Sequence, residues 1–214
     1  MICGSANLND RSQLGDHDSE IAVVISGPLD LQTTFNGEPW QANRFVSSLR
    51  RQIFRKHLGL IKPQDYERPD ANFLPVTEGP NVYDWDSPED RLVADPLTDA
   101  FLTHWRDTAR SNTEVFSKVF HPIPHDSVRT WDQYNEWYEK LFRAADPKKK
   151  DQPAGPYKVG HVVKEEFPGG VQEVKEWLSR IRGTLVEMPL LFLKEEDIAK
   201  EGMEFNAFTK EVYT

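Results

Sequence analysis

The sequence predicts a mixed α/β chain with few sheet strands and several packed helices. Three observations predict it. Ser19–Ser26 contains a β-branched run without alternation, stopped by Gly27-Pro28, which suits a strand covered on both faces. Most later segments repeat their apolar residues at helical spacing. Few other segments read as central strands, although a buried strand needs neighbours on both edges. The sheet is therefore expected to lack members.

The elements follow in chain order. Met1-Ile2-Cys3 running into Gly4-Ser5-Ala6-Asn7 reads as the tail of a strand. Pro39–Leu58 carries apolar residues at 42, 45, 46, 49 and 53, with Pro39 in the first turn of the predicted helix. Arg44, Arg50, Arg51, Arg55 and Lys56 lie off that stripe, and Arg50, Arg51, Arg55 and Lys56 read as a solvated face or as a face toward an anionic membrane. Lys62–Ala94 is a long Pro- and acid-rich loop with scattered Tyr and Trp anchors. A second long helix is predicted from Asp95-Pro96, with Asp95 as cap. Thr130 and Gln133 form a capping box before the Trp131–Leu141 stripe. Asp146–Pro156 reads as a polar connector, and Lys148-Lys149-Lys150 belongs to it. A last helix is predicted from Gly170 to Arg182, ended by Gly183, and a last edge strand over Thr184–Leu193, interrupted by Pro189.

Composition excludes several classes of function. With 38% hydrophobic residues and six Trp in 214 residues, the chain is long enough and apolar enough for a packed core. The longest apolar runs, Ile21–Ile25 and Leu190–Leu193, fall far short of the roughly 20 residues that a spanning helix needs. Residues 1–30 show no secretory leader, so an intracellular, reduced setting is expected for the single cysteine, Cys3. One cysteine also excludes a disulfide framework or a multi-cysteine zinc site. A net charge of −9 gives no global attraction to nucleic acid.

Gly4-Ser5-Ala6-Asn7 can carry chemistry. Glycine allows close backbone approach, and a hydroxyl and a carboxamide two residues apart at a strand end can aim donors at one anionic oxygen. A strand followed by a turn explains so short a motif equally simply. The wider context adds to it. Gly4 to Ser12, then Gly15 and Asp18-Ser19-Glu20-Ile21-Ala22-Val23, closely resembles the tail of the second H-x-K-x(4)-D-x(6)-G-S-x-N motif of eukaryotic phospholipase D, with fungal members nearest. Ser48-Leu49-Arg50 with His57-Leu58-Gly59, Thr108-Ala109 with Asn112, and Arg182 to Leu190 with Phe192-Leu193 resemble later segments of that family. Glu211-Val212-Tyr213-Thr214 resembles its C-terminus.

The resemblance implies an incomplete phospholipase-D-type domain over residues 1–214. Its parts are a motif tail and core strand (1–30), a helical region (39–145, with the loop 62–94) and a closing strand-helix-strand with tail (157–214). It implies hydrolysis of phosphatidylcholine to phosphatidic acid and choline, with transfer to other alcohols as a variant. In the family one imidazole attacks phosphorus and forms a phosphohistidine, while a second protonates the leaving alcohol. Lysine and asparagine side chains stabilise the charge that develops. Only Met1, Ile2 and Cys3 precede Gly4, so the motif's His, Lys and Asp are expected upstream, supplied in cis or by another chain. By resemblance, Gly4, Ser5 and Asn7 contact the phosphate, and Glu20, with Asp18 as runner-up, orients a catalytic histidine. Without that histidine and lysine the chain is expected to be inactive alone. The implied setting is cytoplasmic, peripheral to a membrane bearing phospholipid substrate. No metal or cofactor is expected, although family members respond to phosphoinositide.

The six histidines offer no substitute site. His121 and His125 are separated by Pro122 and Pro124, so they do not share a helical face. His17 sits in a polar turn, His57 at a helix C-terminus where the dipole favours it, His104 on a helix and His161 in a predicted strand. Ser5 lacks the context of a hydrolase elbow. The alternative reading is a non-catalytic, phospholipase-D-like module that binds a lipid headgroup or a protein.

Overall fold

The computed structural model describes residues 1–15, 17–74, 81–141 and 166–196. The chain divides into two units, Met1–Trp105 with Arg182–Thr184, and Arg106–Ile181 with Leu185–Thr214. Helices dominate, and the described strands form two separate antiparallel pairs. The mixed α/β class with few strands is what the sequence predicts.

In the first unit, β1 (Ile2–Gly4) pairs with β2 (Ala22–Val24), Ile2 opposite Val24 and Gly4 opposite Ala22. A four-residue helix, α1 (Asp10–Gln13), lies in the connection, capped by Asn9. The prediction of a strand covered on both faces does not hold here. All six strand residues are exposed, because each strand has one neighbour and nothing described covers either face.

The next segment corrects the sequence reading. Pro39 lies in a hairpin, not a helix: β3 (Leu31–Phe35) pairs with β4 (Glu38–Ala42). The turn is Asn36-Gly37, with φ of 53° and 77°, a backbone twist that matches paired strands and favours Asn-Gly. The helix starts after it. α2 (Arg44–His57) is capped by Asn43, whose side chain accepts from the Val46 amide at 3.1 Å.

The Arg-rich face of α2 turns inward. Arg51 Nη1 donates to Asp90 Oδ2 at 2.9 Å, and its guanidinium stacks 4.2 Å from the Trp85 ring. Arg55 lies 3.9 Å from Asp90 and 3.5 Å from Asp84. Arg50 donates to the carbonyls of Val93 and Ala94 at 2.8 and 2.7 Å. Burial, with Arg51 beside it, lowers the Arg50 pKa to about 10, so it stays charged at neutral pH. Arg51, Arg55 and Asp90 are all buried, which contradicts a solvated or membrane-facing role for Arg51 and Arg55. Their partner Asp90 is on α3 (Pro88–Ala94), a helix inside the segment read as an irregular loop. Ser87 caps it and Pro88 fills its first turn.

Asp95 follows α3 and begins no helix. Its carboxylate accepts the amides of Asn36, Gly37 and Leu97 at 3.0, 2.9 and 3.0 Å, fixing the β3–β4 turn. Burial works against its charge, but these amide bonds outweigh it and hold the pKa at about 2. The long helix α4 (Asp99–Phe120) starts four residues later, with Thr98 Oγ1 accepting from the Phe101 amide at 3.2 Å. Its first turns bring Phe101 and Trp105 against Phe54 of α2, with ring centroids 5.5 and 5.1 Å apart. Gly183 closes this unit. Its φ is +62°, and a Cβ there would lie 1.9 Å from the His57 carbonyl oxygen, so only glycine fits.

In the second unit, the C-terminal part of α4 supplies Val115 and Val119 to a core with Phe167. Val174, Trp177 and Leu178 of α6 (Gly170–Leu178) pack onto it, as does Ile181 beyond the helix. That helix ends four residues before the predicted Arg182, the chain continuing through a turn. α5 (Trp131–Leu141) begins as the capping box predicts, the Gln133 amide donating to Thr130 Oγ1 at 3.2 Å. Gln133 Oε1 reaches back to the Arg129 amide at 2.7 Å.

The predicted closing strand over Thr184–Leu193 does not form. Pro189 has no amide to give a ladder, and neighbouring amides go to side chains instead. Glu187 donates to Thr113 Oγ1 and Leu191 to Asp126 Oδ1, each at 2.8 Å. The connector Asp146–Pro156, His161 and the segment 211–214 lie outside the described residues.

Two outcomes follow. Asp90→Ala leaves two buried guanidinium groups without their shared anion, and is expected to cost about 3–5 kcal/mol, read as a shifted urea midpoint. Because the folded pKa of Asp95 is depressed, its stabilisation is complete above about pH 4, the unfolded value, and fades as the pH falls toward 2. Thermal melts between pH 6 and 2 are expected to show the gap between the native chain and Asp95→Asn closing in that window.

Candidate functional site

At Gly4 the facing strand leaves no room for a side chain. A Cβ on it would lie 2.9 Å from that of Ala22 and 3.1 Å from the Ile21 carbonyl, so a larger residue would push the hairpin apart. The pairing continues one residue further, the Ser5 amide donating to the Ile21 carbonyl at 3.0 Å. Backbone geometry thus sets Ser5 opposite the segment that carries Glu20.

The Ser5 hydroxyl donates to the Glu20 carboxylate, and its oxygen accepts from the Ile21 amide at 3.1 Å. The structure therefore joins two candidate residues that are fifteen positions apart. Asn7 does not join them: its side chain is exposed and forms no hydrogen bond among the described residues. Its carbonyl accepts from Gln13 Nε2 at 2.8 Å, which anchors the turn into α1. Asp18, the alternative to Glu20, is already engaged. Arg11 holds its Oδ1 from Nη2 at 2.8 Å and from Nε at 3.2 Å.

This arrangement has a definite electrostatic character. The Ser5 hydroxyl is donated to a carboxylate, so the pair alone presents a negative group, which repels an anion unless a cation lies beside it. A protonated imidazole would supply that charge, and Glu20 has a carboxylate oxygen with which to hold it.

None of the described histidines is in that position. His57 Nδ1 contacts Thr184 Oγ1 at 2.6 Å, and His121 Nε2 contacts Glu166 at 3.0 Å. His104 Nε2 is buried without a hydrogen-bond partner on α4, and His17 is exposed. No cluster of three or more His, Cys, Asp or Glu residues able to hold a metal occurs among the described residues.

Sequence reading missed one arrangement in the second unit. An apolar cleft of about 760 Å³ is lined by Phe116, Phe120, Ile123 and Met188, with Ser117 and His125 at its wall. His125 Nε2 lies 3.1 Å from Ser117 Oγ, the spacing of a nucleophile and its base. The tautomer is wrong for that role. Nδ1 accepts from the Ser127 amide at 3.1 Å, which leaves the neutral ring's proton on Nε2. This imidazole donates to Ser117 and takes no proton from it. Chain spacing could not have revealed the contact, since Ser117 is on a helix and His125 beyond its end.

No helix among the described residues is long and apolar enough to cross a membrane. No family model matches the chain. Its relatives define the class nonetheless: it is a phospholipase D-like chain, related to phospholipases D of animals, plants and Dictyostelium. It is 31% identical to phospholipase D1 of Homo sapiens over 199 residues, which is 92% of this chain and 14% of that protein. It is 28% identical to phospholipase D zeta 2 of Arabidopsis thaliana over 214 residues, 97% of this chain and 17% of the relative. Phospholipase D B of Dictyostelium discoideum is 30% identical over 213 residues, 99% of this chain and 13% of its own length. The chain thus spans about one-seventh of the length of the curated relatives it matches.

The hairpin contact is measurable. Ser5→Ala leaves the Ile21 amide without its acceptor, and its hydrogen exchange is expected to rise about fivefold, the worth of one modest hydrogen bond. Exchange at Val23 and Val24 serves as the internal reference.

Proposed function

We propose that these 214 residues are the C-terminal part of a phospholipase D that hydrolyses phosphatidylcholine to phosphatidic acid and choline, of the fungal type. The chain works at a cytoplasmic membrane surface, together with the H-x-K-x(4)-D portions of the enzyme. Those portions supply the nucleophilic histidine, the general acid and the lysine, because the 214 residues contain no such motif. The same chemistry passes the phosphatidyl group to another alcohol when one replaces water.

The observation that carries this reading is the Ser5–Glu20 pair. Glu20 orients a catalytic imidazole and stabilises its charged form. Once that imidazole satisfies the carboxylate, the Ser5 hydroxyl is free to turn toward a phosphate oxygen. Asn7, with its side chain in solvent, contributes amide donors from the other end of the same turn. Gly4 permits this approach by keeping the strand end bare of a side chain. Charge developing on the equatorial oxygens then meets fixed donors rather than water, which is where such sites gain most of their rate.

The test is reconstitution. The purified chain alone is expected to release no choline from phosphatidylcholine vesicles, and to do so when combined with the H-x-K-x(4)-D portions of the enzyme. In that assembly Asn7→Ala is expected to lower turnover about a hundredfold or more, the effect of losing one donor to a developing oxyanion. Glu20→Gln is expected to lower turnover and displace the pH profile. Robust turnover by the chain alone would overturn the reading in favour of an unrecognised nucleophile. A cooperatively folding chain that binds headgroup but never reconstitutes turnover would favour the non-catalytic module.

A further inference from the structure

The segment after α2 forms a second concave feature that the catalytic reading does not use. It is a slot of about 420 Å³ in the first unit, lined by Lys56, Ile61, Lys62, Pro63, Tyr66 and Phe73 among others. Tyr66 is fully exposed, at 100%, and Phe73 is exposed at 51%. A tyrosine held wholly in water forfeits the burial of a large apolar ring, so its position asks for an occupant.

The cations around the slot are equally uncommitted. Lys56 lies on the same helix as Arg51 and Arg55, yet those two are consumed inside the fold by Asp90 and Asp84. The ammonium groups of Lys56 and Lys62 form no ion pair within 4.0 Å among the described residues. Both side chains are exposed. Two acidic neighbours are partly accounted for. Asp70 is held ionised chiefly by a hydrogen bond from Gln64, with Lys62 adding to the effect, and Asp65 accepts from the Glu67 amide at 2.9 Å. Asp65 also lines the slot and, like the ionised Asp70 near Lys62, opposes an anion.

An aromatic ring in water beside two unpaired lysines and an apolar floor matches one chemistry. Tyrosine favours the headgroup level of a bilayer, and lysine favours an anionic headgroup while its stem covers apolar surface. We infer that the Lys56–Lys62–Tyr66 slot is a membrane-docking surface that seats an anionic phospholipid headgroup, with Tyr66 and Phe73 entering the interface beside it. The inference rests on the reading that this chain works at a phospholipid surface, and it names the face that meets that surface.

The test is retention of the full chain on sedimented vesicles of phosphatidylcholine with phosphatidylserine, against phosphatidylcholine alone. Retention is expected only with phosphatidylserine and is expected to fall as salt screens the lysines. Lys56→Ala and Lys62→Ala are each expected to weaken it about fivefold, the effect of one basic residue at an anionic surface. Tyr66→Ala is expected to weaken it and Asp65→Asn to strengthen it, while Lys175→Ala on α6 leaves it unchanged. All these side chains are exposed, and a thermal melt checks that each variant folds. Absence of retention, retention indifferent to the two lysines, or release by inorganic phosphate at matched ionic strength overturns the inference. These outcomes are independent of choline release, so slot-dependent retention without reconstituted turnover would sink the catalytic reading and leave the docking surface standing.

Discussion

The first unit depends on one buried carboxylate. Asp90 receives Arg51 and lies beside Arg55, while Arg50 ties down the carbonyl end of the same short helix. Taking these charges out of water is expensive, and the mutual attraction offsets that only when geometry and extra hydrogen bonds are good. Here the Asp86 amide adds a second hydrogen bond to Asp90 Oδ2, and the Trp85 ring covers Arg51. The ionic set fixes how α2 and α3 meet. That in turn places the aromatic ring of Phe54 against Phe101 and Trp105.

The same unit carries a hairpin with the opposite character. β1 and β2 bury nothing that is described, and Ile2, Val23 and Val24 are 74%, 57% and 70% exposed. Two strands with bare faces are marginal by themselves. What makes the hairpin specific is its end, where Gly4 allows the strands to close up and Ser5 binds both the backbone and the side chain of the facing segment. The chemistry assigned to the motif and the local stability of the hairpin thus share the Ser5 hydroxyl.

The histidines illustrate why identity of residues is a poor guide without tautomers. Ser117 and His125 have the spacing of a catalytic dyad beside an apolar cleft, but a backbone amide assigns the ring proton to the wrong nitrogen. Ser5 and Glu20 have no imidazole beside them among the described residues, and the proposed function assigns them a role only in company with one.

Local signals in the sequence were sufficient for several features. Thr130 and Gln133 specify a helix start through contacts within four residues, and Gly183 marks a backbone position that no side chain fits. Asn36-Gly37 is as local a signal as either, yet Pro39 and the stripe beyond it point to a helix that begins five residues too early. The relationship to phospholipase D was also legible, since it needs only residue order. Tertiary structure alone decided the rest. The arginines of α2 look solvated until Asp90, thirty-nine positions past Arg51, enters the same space. The last segment has the composition of a strand, but Thr113 and Asp126 take the amides that a ladder would need. That Asp18 is engaged by Arg11, seven positions away, is likewise a contact only the fold shows. In each case the deciding partner is far along the chain or competes for one hydrogen bond, and a one-dimensional pattern carries neither distance nor competition.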